Sequence, residues 1–326
     1  MNDHKNTSKN GKTSTGGYLA VAIALGLWLS GCITAANNPQ SPEKPKVVVT
    51  NTILHNLTEQ IAKDEIKLTG ILKPGADPHV YEPLPSDSLA LEKANLILYN
   101  GYNLEAGLIK LIKAAGVKAR KVAVGEIVRP LQMQKNNKKV PDPHVWGDVK
   151  NTIKMVKVIQ DELSALSPED SKKFSQNAAR LIDELTQLHI WIGQQVATIP
   201  PHKRKLVTTH DAFQYYARAY GLEVVGTIIG ISTEEQPSAQ TVQQLVKAIQ
   251  ATGVPAIFAE TTINPALIST VAREAKVKLA PQQLYSDSIG APKSVADSYI
   301  KMMVANTRAI VEALGGKYTP FELNNL

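Results

Sequence analysis

A single long helical pattern divides this chain and limits what either half can be. Ser167 can cap it, Pro168 suits a first helical position, and Glu169 and Asp170 favour the positive end of a helix dipole. Phe174, Ala178, Leu181, Leu185, Leu188 and Ile192 then step by four or three residues, which makes one buried face, and Pro200-Pro201 ends the run. A helix over 168–198 is about 45 Å long at roughly 1.5 Å per residue. A helix of that length serves as a backbone joining two lobes.

The sequence on either side fits such lobes. Before it, "KVVVTNT" (46–52), "EIKLTGILKPG" (65–75) and "NLILYN" (95–100) read as strands, and residues 53–63, 86–94 and 104–115 carry helical spacing. After it, "KLVTTH" (205–210), "LEVVGTI" (222–228), "PAIFAE" (255–260) and "VKLAP" (277–281) read as strands, with helices at 212–220, 239–252, 264–275 and 293–315. This alternation predicts an α/β fold of two similar lobes, each with a mainly parallel sheet flanked by helices. The expected boundaries are an N-terminal lobe over 46–166, a linking helix over 167–199 and a C-terminal lobe over 200–326. The 326 residues, 43% hydrophobic and 20% charged, suffice for two cores.

Residues 1–45 stand apart. Lys5, Lys9 and Lys12 precede the apolar run "YLAVAIALGLWLS" (18–30), which is shorter than the roughly 20 residues a bilayer-spanning helix needs, so 1–31 reads as a signal peptide. The "LSGC" at 29–32 resembles the lipobox of bacterial lipoproteins, and Cys32 is the only cysteine, which excludes an internal disulfide. Lipidation of Cys32 is expected to tether the mature protein to a membrane outside the cytoplasm, through a flexible segment at 32–45 rich in Pro, Asn and Ser. The net charge of +7 is spread rather than striped, which argues against a nucleic-acid partner.

One frame occurs twice: Asp77-Pro78-His79-Val80-Tyr81 and Asp142-Pro143-His144-Val145-Trp146. The proline fixes φ near −65° and removes a backbone donor, so each histidine sits on a stiff loop rather than in a helix. His79 follows a strand, as site residues of open α/β sheets do. His210 ends the strand "KLVTTH", and Asp287 follows the strand at 277–281. Each has an ordinary reading alone, as a loop histidine bonded to backbone, a helix cap or a turn residue, and spacing does not make such distant loops converge. As a set, His79, His144, His210 and Asp287 make a candidate site for a divalent transition metal. His4, His55, His189 and His202 read as structural or solvated.

"GADPHVYEP" (75–83), "DPHVWGD" (142–148), "THDAFQYYARAYGL" (209–222), "GISTEEQPSA" (230–239) and "LYSDSIG" (284–290) resemble, in order, the signature segments of the metal-binding solute receptors of zinc and manganese ABC transporters. The resemblance spans roughly residues 46–320. It implies two α/β lobes joined by one rigid helix, with the metal in the cleft between them held by His79, His144, His210 and Asp287. It further implies capture of one Mn²⁺ or Zn²⁺ per chain, delivery to an ABC permease with its cytoplasmic ATPase, and no enzymatic activity; a monomer is expected. His210 stands where manganese or iron members often carry glutamate, which leans to zinc. "QMQKNNKK" (132–139) lacks the histidines of dedicated zinc receptors, which leans the other way. Asp77, Glu82, Asp142 and Asp211 are the candidates for orienting the imidazoles, and Glu234 and Glu235 for docking the permease. A surface adhesin with the same metal site is the alternative. An extracytoplasmic metallohydrolase is disfavoured, since neither a His-Glu-x-x-His pair nor a Gly-x-Ser-x-Gly elbow is present.

Overall fold

A computed structural model describes residues 43–114, 118–135 and 138–323. The signal segment, Cys32 and the tether up to residue 42 lie outside the described residues. The first half runs β1 (Lys46–Val49), α1 (Thr52–Ala62), β2 (Lys67–Gly70), α2 (Pro85–Glu92), β3 (Leu96–Tyr99), α3 (Ala106–Ala114), β4 (Arg120–Ala123), β5 (Gln132–Lys135), β6 (Lys138–Pro141) and α4 (Val149–Leu166). The long helix α5 (Ser171–Ala197) follows. The second half runs β7 (Lys205–Thr208), α6 (Gln214–Tyr220), β8 (Glu223–Thr227), α7 (Ala239–Thr252), β9 (Ala256–Ile257), α8 (Ala266–Ala275), β10 (Lys278–Leu279) and α9 (Tyr299–Ala313).

In the first half, β2-β1-β3-β4 form one parallel sheet. Successive side chains on a strand point to opposite faces. Val47 and Val49 accordingly join α1, α4 and α5 in one core, while Val48 and Ile97 join Leu91, Leu108 and Ile112 on the other face. Burial on both faces is why these strands read as unbroken apolar runs. In the second half, β7 pairs with β8 and β9 with β10, all parallel, and Phe258 N donates to Val207 O at 3.0 Å, tying the pairs together. Val207, Leu245, Ile249, Ile257, Ile268 and Val271 fill the core there. Gly221 and Gly253, at φ 79° and 61°, end α6 and α7 in the left-handed conformation that only glycine adopts without strain.

The six residues expected on the buried stripe of α5 are all buried, joined by Trp191 and Val196, and the helix packs on α4, α1, α9 and α6. Its start differs from expectation. Pro168–Asp170 form a 3-10 turn, and the Ser167 hydroxyl donates to Asp170 Oδ2 at 3.0 Å instead of capping the backbone. Four elements were not expected at all. β4 completes the first sheet, α4 lies beside α5, and β5 and β6 form an antiparallel hairpin within 132–141. Among the described residues, no helix is long and apolar enough to cross a membrane.

Candidate metal centre

The repeated Asp-Pro-His frame makes the same local bond twice. His79 N donates to Asp77 Oδ1 at 2.9 Å, and His144 N donates to Asp142 Oδ1 at 3.0 Å. An aspartate accepting from the amide two residues on closes an Asx turn, and the intervening proline stiffens it. The first frame follows β2; the second follows β6 and leads into a 3-10 turn at Val145–Gly147. Gly147 lets that turn approach the second half, since a Cβ there would lie 3.1 Å from Tyr216 N. Nearby, Tyr215 OH donates to Asp142 O at 3.0 Å and accepts from Leu131 N at 2.9 Å.

His210 lies two residues beyond β7, and Asp287 in the loop between β10 and α9. Hydrogen bonds from both halves hold that second loop. Trp146 Nε1 donates to Ser286 O at 2.9 Å, and Gly75 N to Ser288 Oγ at 2.8 Å.

The structure brings all four expected residues together, with one potential donor atom from each lying within 4.8 Å of the others. His79 is 5% exposed, Asp287 1%, and His144 and His210 not at all. His79 Nε2 is 3.2 Å from His144 Nε2; the Asp287 carboxylate lies 3.2 Å from His210 Nε2 through Oδ2 and 3.4 Å from His144 Nε2 through Oδ1. His210 Nε2 and Asp287 Oδ1 are buried without a hydrogen-bond partner among the described residues: the atoms are close enough to attract but misaligned for hydrogen bonds. Buried polar atoms are normally satisfied, so a cluster of inward-facing donors left in this state fits a cation at its centre.

Carboxylates behind the imidazoles set their orientation. His144 Nδ1 lies 2.8 Å from Asp142 Oδ1. A carboxylate only accepts, so Nδ1 carries the proton and Nε2 turns its lone pair inward. His210 is gripped twice by Glu260, with its backbone N donating to Oε1 at 2.8 Å and Nδ1 to Oε2 at 2.5 Å. Asp77 spends its other oxygen differently, accepting from the Thr233 hydroxyl at 2.6 Å. Of the residues expected to orient imidazoles, Asp142 does so, Asp77 fixes the His79 backbone, Asp211 instead accepts from Gln214 Nε2 at 2.8 Å, and Glu82 is exposed. Glu260 was missed; its one visible mark in the sequence is its place at the end of "PAIFAE".

Burial disfavours a charged His210, but the Glu260 and Asp287 carboxylates outweigh it and hold the imidazole well above its ordinary pKa. Burial likewise works against ionised Asp287, and the facing His210, then His144 and His79, hold it below the usual carboxylate range. Burial pushes Asp211 up to about 6, partly offset by Gln214.

Two α/β halves bridged by one long helix, with a closed set of nitrogen and oxygen donors drawn from both, define a solute-receptor architecture. A family model described as zinc-uptake complex component A, periplasmic, matches residues 47–313. The chain is 34% identical over 305 residues to the manganese ABC transporter substrate-binding lipoprotein PsaA of Streptococcus pneumoniae, covering 91% of this chain and 98% of that one. It is 35% identical over 303 residues to the metal ABC transporter substrate-binding lipoprotein FimA of Streptococcus parasanguinis, covering 91% and 97%. Among solved structures, the periplasmic zinc binding protein TroA from Treponema pallidum matches with a TM-score of 0.79 at 32% identity, over 83% of this chain and 99% of that one. The chain belongs to this family of periplasmic zinc-uptake components, whose relatives are substrate-binding proteins of metal ABC transporters.

Proposed function

We propose that this protein is an extracytoplasmic receptor that captures one divalent transition metal ion, manganese or zinc, and delivers it to an ABC permease driven by a cytoplasmic ATPase. The carrying observation is the convergence of four buried donors from separate loops, two per half, on one point. His79, His144, His210 and Asp287 would be the ligands. Both Asp287 oxygens face imidazole nitrogens, so the set can offer five donor atoms. A donor set that closes around the ion suits carriage, because a catalytic metal keeps a position for substrate. Family membership and the sequence of the first 45 residues support secretion through a signal peptide over 1–31, an anchor at Cys32 and a tether over 32–45. The same reading takes 46–166 and 200–326 as lobes and 167–199 as the link, in a monomer.

The test is calorimetric titration of the chelator-stripped protein with manganese and zinc, separately and in competition. One ion per chain is expected, with zinc displacing manganese, since zinc ranks higher at a given nitrogen and oxygen site. A stoichiometry of zero for both ions defeats the proposal.

Metal uptake at pH 7 should also release protons. In the metal-free protein His210 keeps its proton at neutral pH, and ligation through Nε2 requires its loss. Affinity should therefore rise with pH up to the raised His210 value. The linked stability of the metal-free fold runs oppositely for this residue: it is fully present below the unfolded histidine value of about 6.5 and is lost as pH rises through the folded one. Asp287 contributes stability above its unfolded value that is lost only as pH falls through its lowered folded one. Titrations in buffers of different ionisation heat measure the release; an observed heat independent of buffer would contradict it.

A further inference from the structure

A cavity of about 220 Å³ between the halves reaches this cluster, lined by Tyr102, Asn103 and Pro141 on one side and Ser232 and Glu234 on the other. His79 lines it; His144, His210 and Asp287 do not. His79 is also the most exposed of the four. A cation arriving by this route meets His79 before the rest.

Glu234 is the only carboxylate in the cavity wall. It is exposed, and among the described residues its carboxylate makes no hydrogen bond or ion pair. Its neighbour Glu235 is committed elsewhere, folded back so closely over Gly230 that a Cβ there would meet its carboxylate at 2.2 Å. The position of Glu234 is fixed through Thr233, whose hydroxyl donates to Asp77 Oδ2 while Asp77 Oδ1 accepts from His79 N. One chain of bonds thus ties the glutamate segment to the His79 loop. The opposite wall is held as well: Tyr102 N donates to Glu126 Oε1 at 3.0 Å and Tyr102 OH to Val128 O at 2.6 Å.

We propose that Glu234 is a relay for the cation, binding the partly hydrated ion at the mouth of the cavity and passing it to His79 on the way in, and receiving it on the way out. This rests on the reading of the four-residue cluster as a metal site. A carboxylate in a cleft with low-dielectric walls concentrates cations and offers an oxygen donor while water is being shed. Because Glu234 is outside the final donor set, it stabilises the passage and not the bound state. It therefore speeds binding and release by the same factor and leaves their ratio unchanged.

The test is metal exchange by the isolated, chelator-stripped chain, with no permease present, so that a docking role has no effect on it. Trp146, whose ring centroid lies 5.5 Å from that of His144, is an intrinsic fluorescence reporter. Binding of Mn²⁺ and Zn²⁺ is followed by stopped flow, release by mixing the loaded protein with excess EDTA, and Kd by equilibrium titration. In Glu234→Gln both rates should fall about tenfold, the effect of about 1.4 kcal/mol on a barrier shared by entry and exit, with Kd shifted by less than about threefold, while Glu234→Asp stays near the parent. Parent-like rates in Glu234→Gln overturn the relay. A fall in the binding rate alone overturns it too, since that is the signature of long-range steering. If the parent chain shows no saturable metal binding, the metal reading itself fails; normal parental binding with unaltered exchange in the variant defeats only the relay.

Discussion

Asp287→Ala is expected to lose metal binding, with affinity for manganese and zinc falling at least about a hundredfold in calorimetric titration. Structural zinc sites in small proteins gain about 10–16 kcal/mol, so one ligand of four carries about 3 kcal/mol, which is roughly a hundredfold. Asp287 should exceed that share, because it is the only anionic ligand and the cation is doubly charged. Its two oxygens also face two different imidazoles, so one substitution empties one whole side of the cluster. The metal-free fold should tolerate the change better than metal binding does: His210 loses one counter-charge, keeps Glu260, and can shed its proton. Asp287→Asn separates charge from shape. It retains an oxygen acceptor and nearly the same volume, so a loss close to that of alanine identifies the charge as the essential property. Wild-type affinity in both variants would remove Asp287 from the site.

The four-residue cluster was legible because its first two members sit in a frame that physical chemistry makes conspicuous. Asp-Pro-His stiffens a loop and points an aspartate at the histidine amide, and both copies form that bond. The buried parallel strands were legible for a similar reason, since Val47–Val49 and Leu96–Leu98 must be apolar on both faces. Other parts left weaker marks. The hairpin of β5 and β6 is a two-stranded sheet of largely polar residues, so its one short alternation, Leu131-Gln132-Met133-Gln134, is a weak mark. In α4, Met155, Val156, Ile159 and Leu163 do have helical spacing, but Lys150, Lys154 and Lys157 break the run, and the helix adjoins a longer one that dominates the region. The final helix begins six residues later than its spacing predicts. Its true start is set by Ser298, whose hydroxyl accepts from Lys301 N, while Lys293 takes a positive φ of 68° that a helix excludes.

Glu260 was hidden for a different reason: its partner is 50 residues away, and only the packing of β9 beside β7, tied by the bond from Phe258 N to Val207 O, brings them together. Its substitution is expected to be the largest effect of any residue outside the ligand set. Glu260→Gln should weaken metal binding about 10–100-fold, the usual cost of losing a carboxylate that orients a metal-bound histidine. The carboxylate is fully buried, and its two oxygens accept separately from the backbone N and Nδ1 of His210. A glutamine offers one oxygen and one NH₂ group, so it can accept from one of these donors but must set a donor against the other. His210 would then turn or change tautomer, and Nε2 would no longer be held toward Asp287. Loss of the Glu260 charge should also lower the His210 pKa, so fewer protons should be released when metal binds at pH 7. That second readout decides the role. A residue that merely supported the fold would lower the melting temperature and leave proton release per bound ion unchanged. A residue that sets the charge and tautomer of His210 must change both affinity and proton release, and unchanged proton release in Glu260→Gln would exclude that assignment.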